Sequence, residues 1–205
     1  SEKVVALAGG KGCNVARVLS KMGKMPVVSG WVGGFAGKFI EDELNKEGIA
    51  TDFVETGFES RTCTSILDQE NQTMTEIYEK GEAVPEEKIE AFVARFTEIV
   101  GNYRAITLSG SLPPGVPSNI YARLIQIACA AGIPTYLDSS KKALRDGIAA
   151  QPFLVKPNEE EISALLDEKP GSSVHQLATA TQTIASRYTT TVVLSLGERG
   201  ALVSD

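Results

Sequence analysis

Histidine, tryptophan and cysteine are nearly missing from this chain of 205 residues, which has one His, one Trp and three Cys. A single His, His175, cannot build a His-rich metal centre, and its polar setting (SSVHQLA) reads as the surface of a helix. Cys13, Cys63 and Cys129 lie far apart with no C-x-x-C pair, so neither a zinc site nor a disulfide framework is written here. Scattered thiols of this kind belong to a reducing compartment. No apolar run approaches the ~18 residues that a membrane span needs. The opening SEKVVALAGG shows no basic region followed by an apolar stretch, so it does not read as a secretory signal. The expectation is a soluble, cytoplasmic protein with no membrane partner. Basic residues are also in deficit, with 20 Lys and Arg against 26 Asp and Glu, a net charge of −6. That balance argues against nucleic acid as a partner, while leaving room for a local basic pocket around one small phosphate.

What is present is ordinary globular composition, 42% apolar and 22% charged, enough to build a sizeable core. Short apolar runs alternate with amphipathic stretches, the pattern of an α/β domain with a mostly parallel sheet. Strands are expected at Val4–Leu7, Pro26–Val32, Ala105–Leu108, Thr135–Leu137, Phe153–Val155 and Thr191–Leu196. Val15, Val18, Leu19 and Met22 trace a helix face ended by Gly23. Further helices are expected over about 38–46 with Phe39, Ile40 and Leu44 inward, over 86–100, 118–131, 158–166 and 174–188. One region breaks the rhythm: the Thr-rich runs Thr62–Leu67 and Thr73–Tyr78 flank a polar turn and read as an inserted β-hairpin.

Glycines and acids cluster where strands should end. Gly9-Gly10-Lys11-Gly12-Cys13-Asn14 joins a strand to a helix, and glycine there allows close approach of backbone N–H groups to an anion. It also suits a tight turn needing positive φ. The dinucleotide fingerprint G-x-G-x-x-G fails, because Val15 stands where Gly or Ala is required. A P-loop around Gly37-Lys38 fails at Val32 and Phe39. Ser109-Gly-Ser-Leu-Pro-Pro-Gly115 follows another strand. Asp138 in Leu137-Asp-Ser-Ser140 reads equally as an N-cap and as a site acid. Lys156-Pro-Asn-Glu-Glu-Glu161 places Asn158 and Glu161 as a capping box. Ser195-Leu-Gly-Glu-Arg-Gly200 fits a hairpin turn. In a parallel sheet the turns that follow strands share one edge, where open α/β sheets bind ligands, so together they read as one site.

The ordered set of these stretches, with Arg61-Thr62 and Asn14-Val-Ala-Arg-Val-Leu19, resembles the ribokinase-type carbohydrate kinases, in the branch of 1-phosphofructokinase and tagatose-6-phosphate kinase. The resemblance implies a three-layer α/β/α domain with a small β-lid, its strands within 1–8 and 52–80. It implies one incomplete domain over 1–205, an ATP-dependent kinase acting on a phosphorylated ketohexose, fructose 1-phosphate foremost, and a homodimer contact through the lid. Tagatose-6-phosphate kinase, 6-phosphofructokinase and a non-catalytic sugar-phosphate-binding module are the alternatives. By the same resemblance, Gly10, Asn14 and Asp138 bind sugar hydroxyls, and Lys11, Arg61 and Ser111 hold the substrate's phosphate. Lys156, Asn158, Ser195 and Gly197 approach the ATP phosphates, and Glu161 orients Mg²⁺. The family's G-x-G-D stretch, whose Asp is the general base, does not occur in residues 1–205 and is expected after Asp205. A polypeptide of these residues alone is therefore expected to have negligible activity.

Overall fold

A strand whose chain returns through a helix re-enters the sheet parallel to the strand before it, and that rule sets the order of both parallel sheets in this chain. The computed structural model describes residues 4–205. Two units emerge, the described part of Ser1–Phe92 with Pro113–Val116, and Val93–Leu112 with Pro117–Asp205.

In the first unit, helix α1 (Lys11–Lys21) starts at Gly10, whose φ of +107° is open to glycine without strain. Strand β1 (Val27–Val32), helix α2 (Gly34–Lys46) and strand β2 (Ala50–Glu55) form a βαβ unit with β1 and β2 parallel, Val27 opposite Ala50 and Val32 opposite Glu55. Ala8, Cys13, Ala16, Val28, Leu44 and Ile49 make its core, with Ile40 and Phe53 packed against them. The α2 N-terminus is filled by the chain's own Glu59, which accepts from Phe35 N–H at 3.1 Å. Strands β3 (Cys63–Asp68) and β4 (Thr73–Tyr78) form an antiparallel hairpin, Cys63 opposite Tyr78, exposed on both faces. Its turn is held by Asp68 Oδ1, which accepts from the Glu70 and Asn71 amides. Trp31 packs against Phe92 with the rings tilted at 45° and 4.5 Å between centroids, and donates Nε1–H to the Lys88 carbonyl.

Helix α3 (Glu86–Ile99), opened by Pro85, leads into the second unit. There β5 (Ile106–Ser109), α4 (Ile120–Ala130), β6 (Thr135–Asp138), α5 (Lys141–Ile148), β7 (Leu154–Val155), α6 (Glu159–Leu166), α7 (Val174–Tyr188), β8 (Thr191–Ser195) and β9 (Ala201–Ser204) follow in order. The sheet runs β5-β6-β7-β8-β9, parallel through β8, with β9 returning antiparallel as a hairpin. Leu137, Leu144, Ile148, Val155, Ile162, Leu177, Ile184 and Leu194 are fully buried, each contributing about 1.5–3 kcal/mol by leaving water. Gly147 allows α5 to lie close, since a Cβ there would stand 2.8 Å from Leu137 and 3.4 Å from Tyr121.

Two expectations need correction, and one strand lies outside them. Val4–Leu7 forms no strand, and Val4, Val5 and Leu7 are exposed; apolar residues supply propensity, but a strand needs a paired edge, and none is bonded to it among the described residues. The remainder of the lid strand expected within 1–8 lies outside the described residues. Phe39 is not inward but 36% exposed, because the α2 face is carried by Ile40 and Leu44. Strand β2 was not expected as a separate element, since its half-buried residues (ATDFVE) show no alternation. No helix among the described residues is long and apolar enough to cross a membrane.

Candidate functional site

The first unit carries Gly10, Lys11, Asn14 and Arg61. Gly10 and Lys11 open α1, and the Asn14 amide closes its first turn on the Gly10 carbonyl at 3.1 Å. Arg17, one turn on, donates to Asn14 Oδ1 at 3.2 Å and to the Ala8 carbonyl at 2.8 Å. Its guanidinium grips Glu47 with two bonds, Nε to Oε2 at 2.6 Å and Nη2 to Oε1 at 2.9 Å. That bond holds the Glu47 carboxyl below its ordinary value. Arg17 thus ties the turn that opens α1 to the far end of α2. Arg61 lies elsewhere in this unit, at the foot of the β3–β4 hairpin, its Cβ 3.5 Å from a Cβ built on Gly81. Both predicted phosphate cations, Lys11 and Arg61, are exposed.

The second unit carries the rest, and here the sheet's hydrogen bonding continues past the strand ends. Gly110 N–H donates to the Asp138 carbonyl at 2.9 Å, Lys156 N–H to the Leu137 carbonyl at 3.0 Å, and Ser195 N–H to the Pro157 carbonyl at 2.9 Å. Asn158 and Ser195 form a parallel bridge. Asp138, Lys156, Asn158 and Ser195 are therefore neighbours along one carboxyl edge, with Ser111 following Gly110 and Gly197 (φ +60°) two residues beyond Ser195. The Lys156 ammonium lies 3.4 Å from Asp138 Oδ1. Ser140, not Asp138, stands at the N-cap of α5, so the capping reading of Asp138 is not realised.

The capping box of α6 does form. Asn158 Oδ1 accepts from Glu161 N–H at 2.8 Å, and Glu161 Oε2 accepts from Asn158 N–H at 2.9 Å. This orients both side chains at the sheet edge and leaves Glu161 a second carboxylate oxygen. Arg199, in the turn after β8, reaches across to Glu159 Oε1 at 2.6 Å and the Ser172 carbonyl at 3.1 Å, holding that turn against the start of α6. Among the described residues no group of three or more His, Cys, Asp or Glu side chains could hold a metal by itself. Magnesium does not need one: it keeps several waters and takes one or two carboxylates together with phosphate oxygens. A single Glu161 at the edge fits that habit.

Several residues that shape these turns act through partners that the sequence does not announce, although Arg17 and Ser139 stand within stretches already singled out. Arg17 acts through Glu47, 30 residues away. Tyr121 and Ser139 both donate to the Gly110 carbonyl, at 3.1 Å and 3.0 Å, from 11 and 29 residues away. Burial, with the Asp138 carboxylate as a smaller cause, pushes the Tyr121 phenol up to about 12.

The profile described as pfkB family carbohydrate kinase matches residues 1–205, and the chain belongs to that family. It is similar to phosphofructokinase-2 from Escherichia coli in its tetrameric inhibited form, at 32% identity over 96% of this chain and 65% of that one, with a TM-score of 0.88. It is similar to the same enzyme in complex with fructose-6-phosphate, at 30% identity, again over 96% of this chain and 65% of that one, with a TM-score of 0.88. A possible 1-phosphofructokinase from Thermotoga maritima is 29% identical over 96% of this chain and 62% of that one, with a TM-score of 0.86. The ribokinase-like α/β class expected from the sequence is thus the observed one. The chain spans less than two thirds of the length of these proteins.

Proposed function

We propose that residues 1–205 form the larger part of one ribokinase-like domain, and that the full-length protein moves the γ-phosphoryl group of ATP to a hydroxyl of a phosphorylated ketohexose. Fructose 1-phosphate is the first choice of acceptor, giving fructose 1,6-bisphosphate. The bond from the γ-phosphorus to the bridging oxygen of ADP breaks, the bond to the sugar oxygen forms, and the hydroxyl proton passes to a base. That base is the Asp of a G-x-G-D stretch, which residues 1–205 do not contain.

The observation that carries this reading is the extended ladder that makes Asp138, Lys156, Asn158 and Ser195 neighbours at one sheet edge. Phosphoryl transfer asks little covalent chemistry of a protein beyond positioning and charge neutralisation. A lysine, glycine-rich turns and one carboxylate for Mg²⁺ are suitable parts. In this reading Gly10, Asn14 and Asp138 bind sugar hydroxyls, while Lys11, Arg61 and Ser111 hold the phosphate already on the sugar. Lys156, Asn158, Ser195 and Gly197 approach the ATP phosphates, and Glu161 orients Mg²⁺, which supplies charge neutralisation when bound. Charge-assisted bonds from Lys11 and Arg61, at ~1.5–3 kcal/mol each, favour a phosphorylated over a free sugar by roughly two to four orders of magnitude.

The β3–β4 hairpin is the lid in this proposal, closing over the sugar to exclude water that would compete as acceptor. Ile66, Leu67, Met74, Ile77 and Tyr78 are exposed on it, which supports a dimer contact there. A cytoplasmic location belongs to the same proposal and suits three free cysteines.

Fructose 6-phosphate is the second reading, favoured by the likeness to an enzyme solved with that sugar. The test is product analysis with the full-length protein: one ADP released per sugar bisphosphate formed supports the kinase. Tight sugar-phosphate binding with no ADP release would instead mark a binding module.

A further inference from the structure

The carbonyl of Gly110, just past β5, is gripped by two buried hydroxyls. Tyr121 Oη donates to it from α4 at 3.1 Å and Ser139 Oγ from the end of β6 at 3.0 Å. Tyr121 is 8% exposed and Ser139 1%, so both hydroxyls come from buried residues, where leaving a polar group unpaired is costly. The Gly110 N–H is engaged as well, donating to the Asp138 carbonyl at 2.9 Å. Gly110 sits at φ +105°, where glycine moves readily and the peptide that follows could rotate at little cost. Two convergent hydroxyls remove that freedom.

A trans peptide is planar, with its C=O and N–H on opposite sides. Fixing the Gly110 carbonyl toward Tyr121 and Ser139 therefore turns the Ser111 N–H the other way. Ser111 is exposed, and its amide forms no hydrogen bond among the described residues. The arrangement presents a backbone N–H of set direction beside the Ser111 hydroxyl, two donors on one residue. A donor oriented during folding does not have to be oriented when an anion arrives.

We propose that Tyr121 and Ser139 are positioning residues that lock the Gly110–Ser111 peptide, so that the Ser111 N–H acts with its hydroxyl as a donor pair for the phosphate on the sugar substrate. This rests on the reading of Ser111 as a phosphate-binding residue. Neither positioning residue touches the substrate; both act through the peptide.

The test uses the full-length protein with Tyr121→Phe, Ser139→Ala, the double variant and Ser111→Ala, measured for KM toward fructose 1-phosphate, KM toward ATP, affinity for unphosphorylated fructose, and thermal midpoint. Two ordinary hydrogen bonds correspond to about a 5- to 100-fold change. The double variant is expected to raise the KM for the sugar phosphate within that range, with the KM for ATP and the affinity for fructose unchanged. Ser139→Thr, which keeps the hydroxyl, is expected to restore the wild-type value, an outcome a merely structural role would not produce. If Ser111→Ala weakens sugar-phosphate binding and the clamp variants do not, the positioning role is overturned while the phosphate reading stands. If Ser111→Ala has no effect either, that reading and the inference fall together. Equal losses toward sugar phosphate, ATP and fructose would also overturn it, as general loosening of the site.

Discussion

The Lys156 ammonium stands 3.4 Å from the Asp138 carboxylate, a cation and an anion from successive strand ends held as a pair. Both side chains keep some solvent exposure, so the pair contributes little to folding. Its consequence lies in ligand binding. In the proposed function, a phosphate that engages Lys156 draws it from Asp138 and releases the carboxylate for sugar hydroxyls. Asp138→Asn keeps the shape and removes the charge. The expected result is a KM for sugar phosphate raised about 10- to 100-fold, the size of one charge-assisted bond, with the KM for ATP unchanged or lowered. Steady-state kinetics of the full-length protein decide this, and a raised KM for ATP would contradict it.

Arg61 stands at the foot of the hairpin, beside Gly81, and its proposed partner is the sugar's phosphate. Arg61→Ala is expected to raise the KM for sugar phosphate about 10- to 100-fold while that for ATP stays near its wild-type value. An unchanged KM for sugar phosphate would remove Arg61 from the site.

Asn158 and Glu161 separate stability from metal chemistry. Asn158→Ala breaks the capping box and is expected to cost about 0.5–2 kcal/mol, read as a lower urea midpoint. Glu161→Gln keeps an acceptor oxygen for the Asn158 amide, so its midpoint should stay near the wild type. The same variant loses the charge proposed to orient Mg²⁺, and should need a higher Mg²⁺ concentration for half-maximal rate. Unaltered Mg²⁺ dependence would leave Glu161 with a capping role alone.

Tyr121 gives a prediction at alkaline pH. Its phenol is raised from 10.0 to about 12, so between those values the unfolded chain releases the proton while the folded one keeps it. Stability from this group is complete below pH 10 and falls as pH rises toward 12, by about 2–3 kcal/mol at 1.36 kcal/mol per pKa unit. Denaturant unfolding of the wild type and Tyr121→Phe across that window should show the wild type losing this amount relative to the variant. Parallel curves would show that the phenol is not held neutral.

The sheet and helices were legible where burial on one face writes a period into the sequence, as in α3 with Ile89, Phe92, Val93 and Phe96. The hairpin was legible from its Thr-rich runs. Val4–Leu7 misled because an apolar run states propensity and not a pairing partner. At the second unit's sheet edge, the turns after β5, β6, β7 and β8 were readable from their glycines and acids, since parallel topology brings such turns together. The groups that steady these turns were not. Tyr121 and Ser139 meet one carbonyl from distant positions, and Arg17 serves its turn through Glu47, so no spacing announces them.

The most direct test of the account is the ratio of kcat/KM for fructose 1-phosphate to that for free fructose, measured with ATP and Mg²⁺ in the full-length protein. A ratio of roughly 100 to 10,000, matching two charge-assisted contacts to the substrate's phosphate, is the expected result. Equal use of both sugars, or no phosphoryl transfer to fructose 1-phosphate, fructose 6-phosphate or tagatose 6-phosphate, would contradict it.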